Sequence, residues 1–331
     1  MFRLRFDPYI VLLLATVAVA SVLPARGIVA VQSRHATTIA IGLLFFLYGA
    51  RLSTRTALAG LRHWRLHVLV LTATFVVFPV LGLICRVLVP TVLSPQLYAG
   101  VMFLCCLPST VQSSIAFTSI AKGNVAAAMC SASFSNLIGI ALTPALVTVF
   151  LVTKTGGGVS LEAIRDILVQ LLVPFVAGQM LQNRIGGFLA RHNSVLGYVD
   201  RGSVLFVVYA AFSESVVAGI WGRLTVLSIV LLFIVNAALL GIMIVSTMTI
   251  ARRARFTTED QIAIVFCGSK KSLASGLSLT SVLFPAATVG LMVVPLMMFH
   301  QMQLVVCAWL ARRYSARADT ATVLAGPTDT P

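Results

Sequence analysis

Two adjacent lysines stand in the middle of an apolar run, Ile262-Ala263-Ile264-Val265-Phe266-Cys267-Gly268-Ser269-Lys270-Lys271-Ser272-Leu273-Ala274-Ser275-Gly276-Leu277. The run belongs to a segment, 258–283, long enough to cross a bilayer, with the lysines near its midpoint. A lysine at the centre of a spanning helix costs about 2.5–3.5 kcal/mol on insertion scales. Two in succession, flanked by Gly268, Ser269 and Ser272, point to a broken helix that lines a polar cavity and receives an anion. The competing readings are a lysine that snorkels to an interface and a lysine paired structurally with an acid.

A second polar break fits the first. Pro108-Ser109-Thr110-Val111-Gln112-Ser113-Ser114 sets a proline among hydroxyls and an amide. Proline removes one backbone donor and frees a carbonyl about one turn earlier, and a freed group at membrane depth needs protein, water or ligand. Ser109, Thr110, Gln112, Ser113 and Ser114 therefore join Gly268, Ser269, Lys270, Lys271 and Ser272 as candidate binding residues. Glu214 is the one carboxylate deep in an apolar segment. It is the candidate partner of a lysine, as a gate or proton relay, or else a static buried pair or a protonated Glu bonded to backbone. Ser131 and Ser135 share one helical face, with Asn136 beside it. This trio reads either as ligand-binding or as helix packing. His300, Gln301 and Gln303 interrupt another apolar run, where a packing histidine and a proton-handling one are both open. The phenylalanines and methionines read as core and bilayer filler.

The elements that must carry these residues are membrane helices. The chain is 59% apolar and 10% charged, against about 25% charged in a soluble domain, and its mean hydropathy is +1.01. The net charge of +15 is spread over short loops and gathers into no single patch, which argues for a lipid bilayer as partner and against nucleic acid. All six cysteines lie in apolar stretches, without metal or disulfide spacing. Walker A, GxSxG and HExxH motifs are absent, so neither an enzyme nor a bound cofactor is expected.

Hydropathy predicts ten spans, at 9–23, 37–49, 66–89, 95–121, 125–152, 161–182, 202–220, 224–250, 258–283 and 286–310. The first is read as a retained helix, not a cleaved signal. Residues 1–315 form one domain, and the polar stretch 316–331 is expected to be a disordered tail. Sixteen of the 24 lysines and arginines fall on one predicted side and six on the other, which puts both termini in the cytoplasm. Weak self-similarity recurs at an offset of about 160 residues, the signature of inverted repeats in transporters. His63-Trp64-Arg65-Leu66 matches Trp221-Gly222-Arg223-Leu224, and the Pro108 break matches the Gly268 break. The three tryptophans, Trp64, Trp221 and Trp309, sit near span ends as interface anchors. Gly156-Gly157-Gly158 reads as a flexible connector.

Tyr48-Gly49-Ala50-Arg51-Leu52-Ser53, His63-Trp64-Arg65-Leu66-His67, the Ala121-Lys122-Gly123-Asn124-Val125 turn and the double-lysine motif resemble the bile acid:sodium symporter family. Within it they are most similar to the member-seven-like branch of solute carrier family ten. The resemblance implies an all-α membrane fold of ten helices in two inverted five-helix repeats, with broken helices four and nine crossing. It also implies a panel of spans one, two, six and seven beside a core of the other six. Relatives that use sodium carry a Ser-Asn pair after the first break; here the positions hold Ser114 and Ile115. Their hydroxyls in span five fall on Ala128 and Ala132, and their Glu and Gln in span nine on Phe266 and Lys270. The expectation is a secondary transporter of a small organic anion in a bacterial inner membrane, coupled to protons sooner than to sodium. The other class is a membrane sensor or regulator on the same fold. A channel is disfavoured, because no continuous polar face runs along any span.

Overall fold

The computed structural model describes residues 8–51, 63–152, 161–217, 219, 225–284 and 286–324. Every regular element among them is helical. Helices α1 (Pro8–Val22) and α2 (Gly27–Arg51) come first. α3 (Trp64–Thr72) passes through a π-turn (Ala73–Val77) into α4 (Phe78–Ile84). α5 (Pro95–Cys106) and α6 (Gln112–Ile120) flank the first break. α7 (Val125–Val147), α8 (Leu161–Arg191), α9 (Asn193–Val217) and α10 (Val226–Arg253) follow. α11 (Thr258–Gly268) and α12 (Leu273–Leu283) flank the second break, and α13 (Ala286–Leu324) closes the chain.

Local chemistry starts these helices. Ser94 caps α5, with Pro95 in its first turn, and Asn124 caps α7. Thr257 caps α11, whose first turn carries Glu259 and Asp260 against the positive end of the helix dipole. The turn before α7 is tight, with Lys122 in the left-handed region at φ 59°. Asn124 lodges it against α11, its side-chain amide donating to Asp260 at 2.8 Å and its main-chain N–H to the Glu259 carbonyl at 3.0 Å.

Among the described residues, seven helical stretches are long and apolar enough to cross a membrane, and the first break interrupts what would otherwise be another. The helices extend beyond the apolar spans read from hydropathy. α2 begins at Gly27, and α8 runs to Arg191. Hydropathy marks the apolar part of a helix, and hydrogen bonding continues past it. For the same reason α13 carries on through residues 316–324, where a disordered tail was expected; Ala316, Arg317 and Ala318 are good helix formers. The remaining tail, the Gly156–Gly158 connector, the 221–224 repeat element and the basic residues Arg3, Arg5, Arg55 and Arg62 lie outside the described residues.

α1, α2, α8 and α9 pack on one another, and α3–α7 with α10–α13 form a second group. α9 meets α12 and α13, and α8 meets α7, joining the two. α2 and α8 approach each other closely. A Cβ on Gly49 would strike the Phe175 carbonyl and one on Gly178 the Phe46 carbonyl, so only glycine lets these backbones touch. The most polar span is also the most enclosed. In Thr258–Thr280, 94% of the apolar window is buried, against 24–50% in the other six. The double lysine therefore sits inside protein, away from lipid.

Candidate functional site

Pro108 ends α5. The residue before a proline is driven out of helical geometry, and Leu107 is extended at φ −75°, ψ 155°. Lacking an N–H, Pro108 leaves the Leu104 carbonyl to the Leu107 N–H at 3.2 Å. Ser109 turns its N–H to the Ser135 hydroxyl at 2.9 Å, which strands the Cys105 carbonyl. The stranded carbonyls find other donors. Cys106 accepts from Thr143 at 2.9 Å, Pro108 from the Ser272 N–H at 2.9 Å, and Ser109 from Asn136 at 2.8 Å.

α11 ends in the same manner. The Val265 carbonyl accepts from the Ser269 hydroxyl at 2.6 Å, Phe266 from the Ser114 hydroxyl at 2.9 Å, and Cys267 from the Ser109 hydroxyl at 2.5 Å. Each break thus caps the other, and the two meet in contact. Gly268 lets the end of α11 pack tightly on α10 and the π-turn: a Cβ there would lie 3.0 Å from the Thr247 methyl and 3.3 Å from Ala73.

Lys271 is completely buried. Its ammonium donates to three main-chain carbonyls, Leu107 at 2.7 Å, Cys105 at 2.8 Å and Thr74 at 2.9 Å, and lies 4.1 Å from the centre of the Phe78 ring. The Thr74 carbonyl is free because the π-turn sends the Phe78 N–H to Ala73, and Pro79 has none to offer. The main chain of Lys271 is held as well. Gln303 accepts from its N–H and donates to its carbonyl, each at 2.9 Å, and donates to His300 at 2.8 Å.

Lys270 is equally buried and far less satisfied. Its ammonium donates to the Ser113 hydroxyl at 3.3 Å and lies 4.6 Å and 5.7 Å from the centres of the Phe117 and Phe266 rings. An ammonium has three donors. Ser113 is in the first turn of α6, whose cap residue Val111 offers no side-chain acceptor. The free N–H groups of that turn add positive potential beside the ammonium, and no carboxylate pairs with either lysine among the described residues. The crossing therefore gathers positive charge at Lys270 and offers it hydroxyl and aromatic neighbours.

The profile of the SBF-like CPA transporter family matches residues 7–316. The chain belongs to this family. A Pseudomonas aeruginosa protein of uncharacterised role is 52% identical over 97% of each chain. YfeH of Escherichia coli K12, which carries a provisional symporter name, is 48% identical over 96% of each. The sodium/bile acid cotransporter 7-A of Xenopus laevis is 28% identical over 91% of this chain and 90% of its own. Family and apolar helices together make this a multi-pass membrane protein of a transporter family.

Most of the residues expected at the site converge. Ser109, Ser114, Gly268, Ser269, Lys270, Lys271 and Ser272 meet at the crossing, with Thr110 bonded to Ser113 at 2.8 Å and to Ser114 at 3.0 Å. Ser135 and Asn136 brace it from α7, where Asn136 donates to the Ser109 carbonyl and accepts from Ser275 at 3.0 Å. Three residues stand apart. Gln112 is exposed. Ser131 bonds to His67 at 2.6 Å, on the side of α7 that faces α3. Glu214, expected as a candidate lysine partner, lies on α9, while Lys270 bonds to Ser113 and Lys271 to three carbonyls. Sequence reasoning missed Thr74, whose signal was Pro79 inside span three. It passed over Thr143 and took Phe78, Phe117 and Phe266 for filler, since a ring gives no sign of the ammonium it will face.

Proposed function

We propose that this protein is a secondary transporter that moves a small organic anion by alternating access, with Lys270 as the anion-binding charge. The observation that carries the reading is the Lys270 ammonium, buried with one hydroxyl partner beside the uncapped first turn of α6. Like potentials are held together there at a cost, and an anion relieves it. Full burial means that the anion reaches Lys270 when the α1, α2, α8, α9 panel moves against the core of remaining helices. Two inverted five-helix repeats, ten spans in all, would supply the two symmetric end states. The excess of basic residues on one predicted side supports both termini in the cytoplasm, and the identity to the Pseudomonas aeruginosa and Escherichia coli relatives supports a bacterial inner membrane.

Sodium has little to hold it at the positions its ligands occupy in relatives. Ala128 and Ala132 lie in an apolar cluster with Ile264 and Cys267, the Phe266 carbonyl accepts from Ser114, and the Lys270 ammonium stands where relatives carry an amide. We therefore read transport as sodium-independent, with the proton as the coupling ion. The test is counterflow of candidate organic anions in proteoliposomes, with sodium replaced by N-methylglucamine. Flux that persists without sodium and is lost in Lys270→Ala is the expected result. Flux that stops without sodium overturns the sodium-independent reading. Saturable binding with no flux under any gradient replaces transport by a sensor on the same fold.

A further inference from the structure

We infer that the Lys271 ammonium fills a monovalent-cation site built from main-chain carbonyls, and that the site takes a free cation of ammonium or potassium size once the side chain is shortened. Three carbonyl oxygens converge on one point at 2.7–2.9 Å, and the face of Phe78 closes another side at 4.1 Å. Rings of carbonyls replace the hydration shell of potassium in selective channels, and an aromatic face adds attraction for any cation. The spacing is wider than the roughly 2.3–2.6 Å that calcium prefers. Two of the oxygens, from Cys105 and Leu107, stand at the negative end of the α5 dipole.

Two of the three oxygens are available for reasons independent of Lys271. The Cys105 carbonyl lost its donor when Ser109 turned to Ser135, and the Thr74 carbonyl lost its own to the π-turn and Pro79. The backbone of residue 271 is fixed by Gln303 on both its N–H and its carbonyl. Removing the side chain thus leaves an anchored, buried and electronegative hole. Lys270 makes no such contacts, so the two lysines divide the work: one binds from within and the other faces a ligand. The carbonyl site holds the two breaks together whether or not the protein transports.

The experiment is thermal unfolding of full-length Lys271→Ala in detergent, in N-methylglucamine chloride at fixed ionic strength. Potassium, ammonium, methylammonium, sodium and tetramethylammonium are titrated in separately. The variant is expected to melt roughly 5–10 °C below wild type. Ammonium, methylammonium or potassium should restore at least about half of that, saturably, as a bound ligand does. Tetramethylammonium is too large to enter. Wild type and Lys270→Ala should show no such selectivity, and Lys271→Met, whose stem fills the hole, should stay low in every salt. A variant that extracts folded only in methylammonium also supports the site. A shift equal in all cations, no shift, or a Lys271→Ala protein unfolded in every cation overturns it.

Discussion

Lys270 and Lys271 are consecutive, yet their ammonium groups go to different helices: Lys270 to Ser113 at the start of α6, Lys271 to the end of α5 and the π-turn before α4. The chain between α11 and α12 is non-helical there, so neighbouring side chains diverge. The division predicts different phenotypes.

Lys270→Ala should abolish uptake or lower it about tenfold or more, the range expected for a lost charged hydrogen bond, while the protein stays folded. Proteoliposome flux beside a melting curve checks both. A large loss of melting temperature with flux preserved would reverse the roles assigned to the two lysines.

Ser109→Ala and Ser114→Ala each leave one carbonyl at the end of α11 without its donor. Each should cost about 1 kcal/mol, a usual value for a hydrogen bond inside a membrane protein. Because the residues brace one crossing, the double variant should lose more than the sum of the two. Chemical or thermal unfolding of the set measures the coupling.

Asn136→Ala removes a brace that touches both breaks, through the Ser109 carbonyl and the Ser275 hydroxyl. We expect destabilisation of about 1–3 kcal/mol and a fall in flux. Asn136→Asp restores the acceptor but not the donor, and should recover only the Ser275 contact.

Gly49→Ala and Gly178→Ala each drive a methyl into the other helix's backbone, which cannot step aside as a side chain would. Either should separate α2 from α8 and cost about 1–3 kcal/mol, the range for overpacking. Gly187→Ala on the same helix meets nothing within 4 Å and should be neutral or slightly stabilising. Melting temperatures of the three variants separate crossing geometry from helix propensity.

The class of molecule, the positions of most helices and the two breaks are legible in the amino-acid sequence. These follow from local causes: apolar composition, Pro108 without its N–H, and Gly268 among serines. The sequence also named most of the crossing residues, because polar groups at membrane depth must be satisfied by one another. Partnership was a matter for tertiary structure. Glu214 is the only carboxylate deep in a predicted span, and charge alone makes it a candidate partner of a lysine, yet the carbonyls of Thr74, Cys105 and Leu107 hold Lys271. Those acceptors belong to the main chain, which every residue carries alike. Which of them lack a donor depends on where a π-turn, a proline and a distant serine meet, and only the packed helices bring those together.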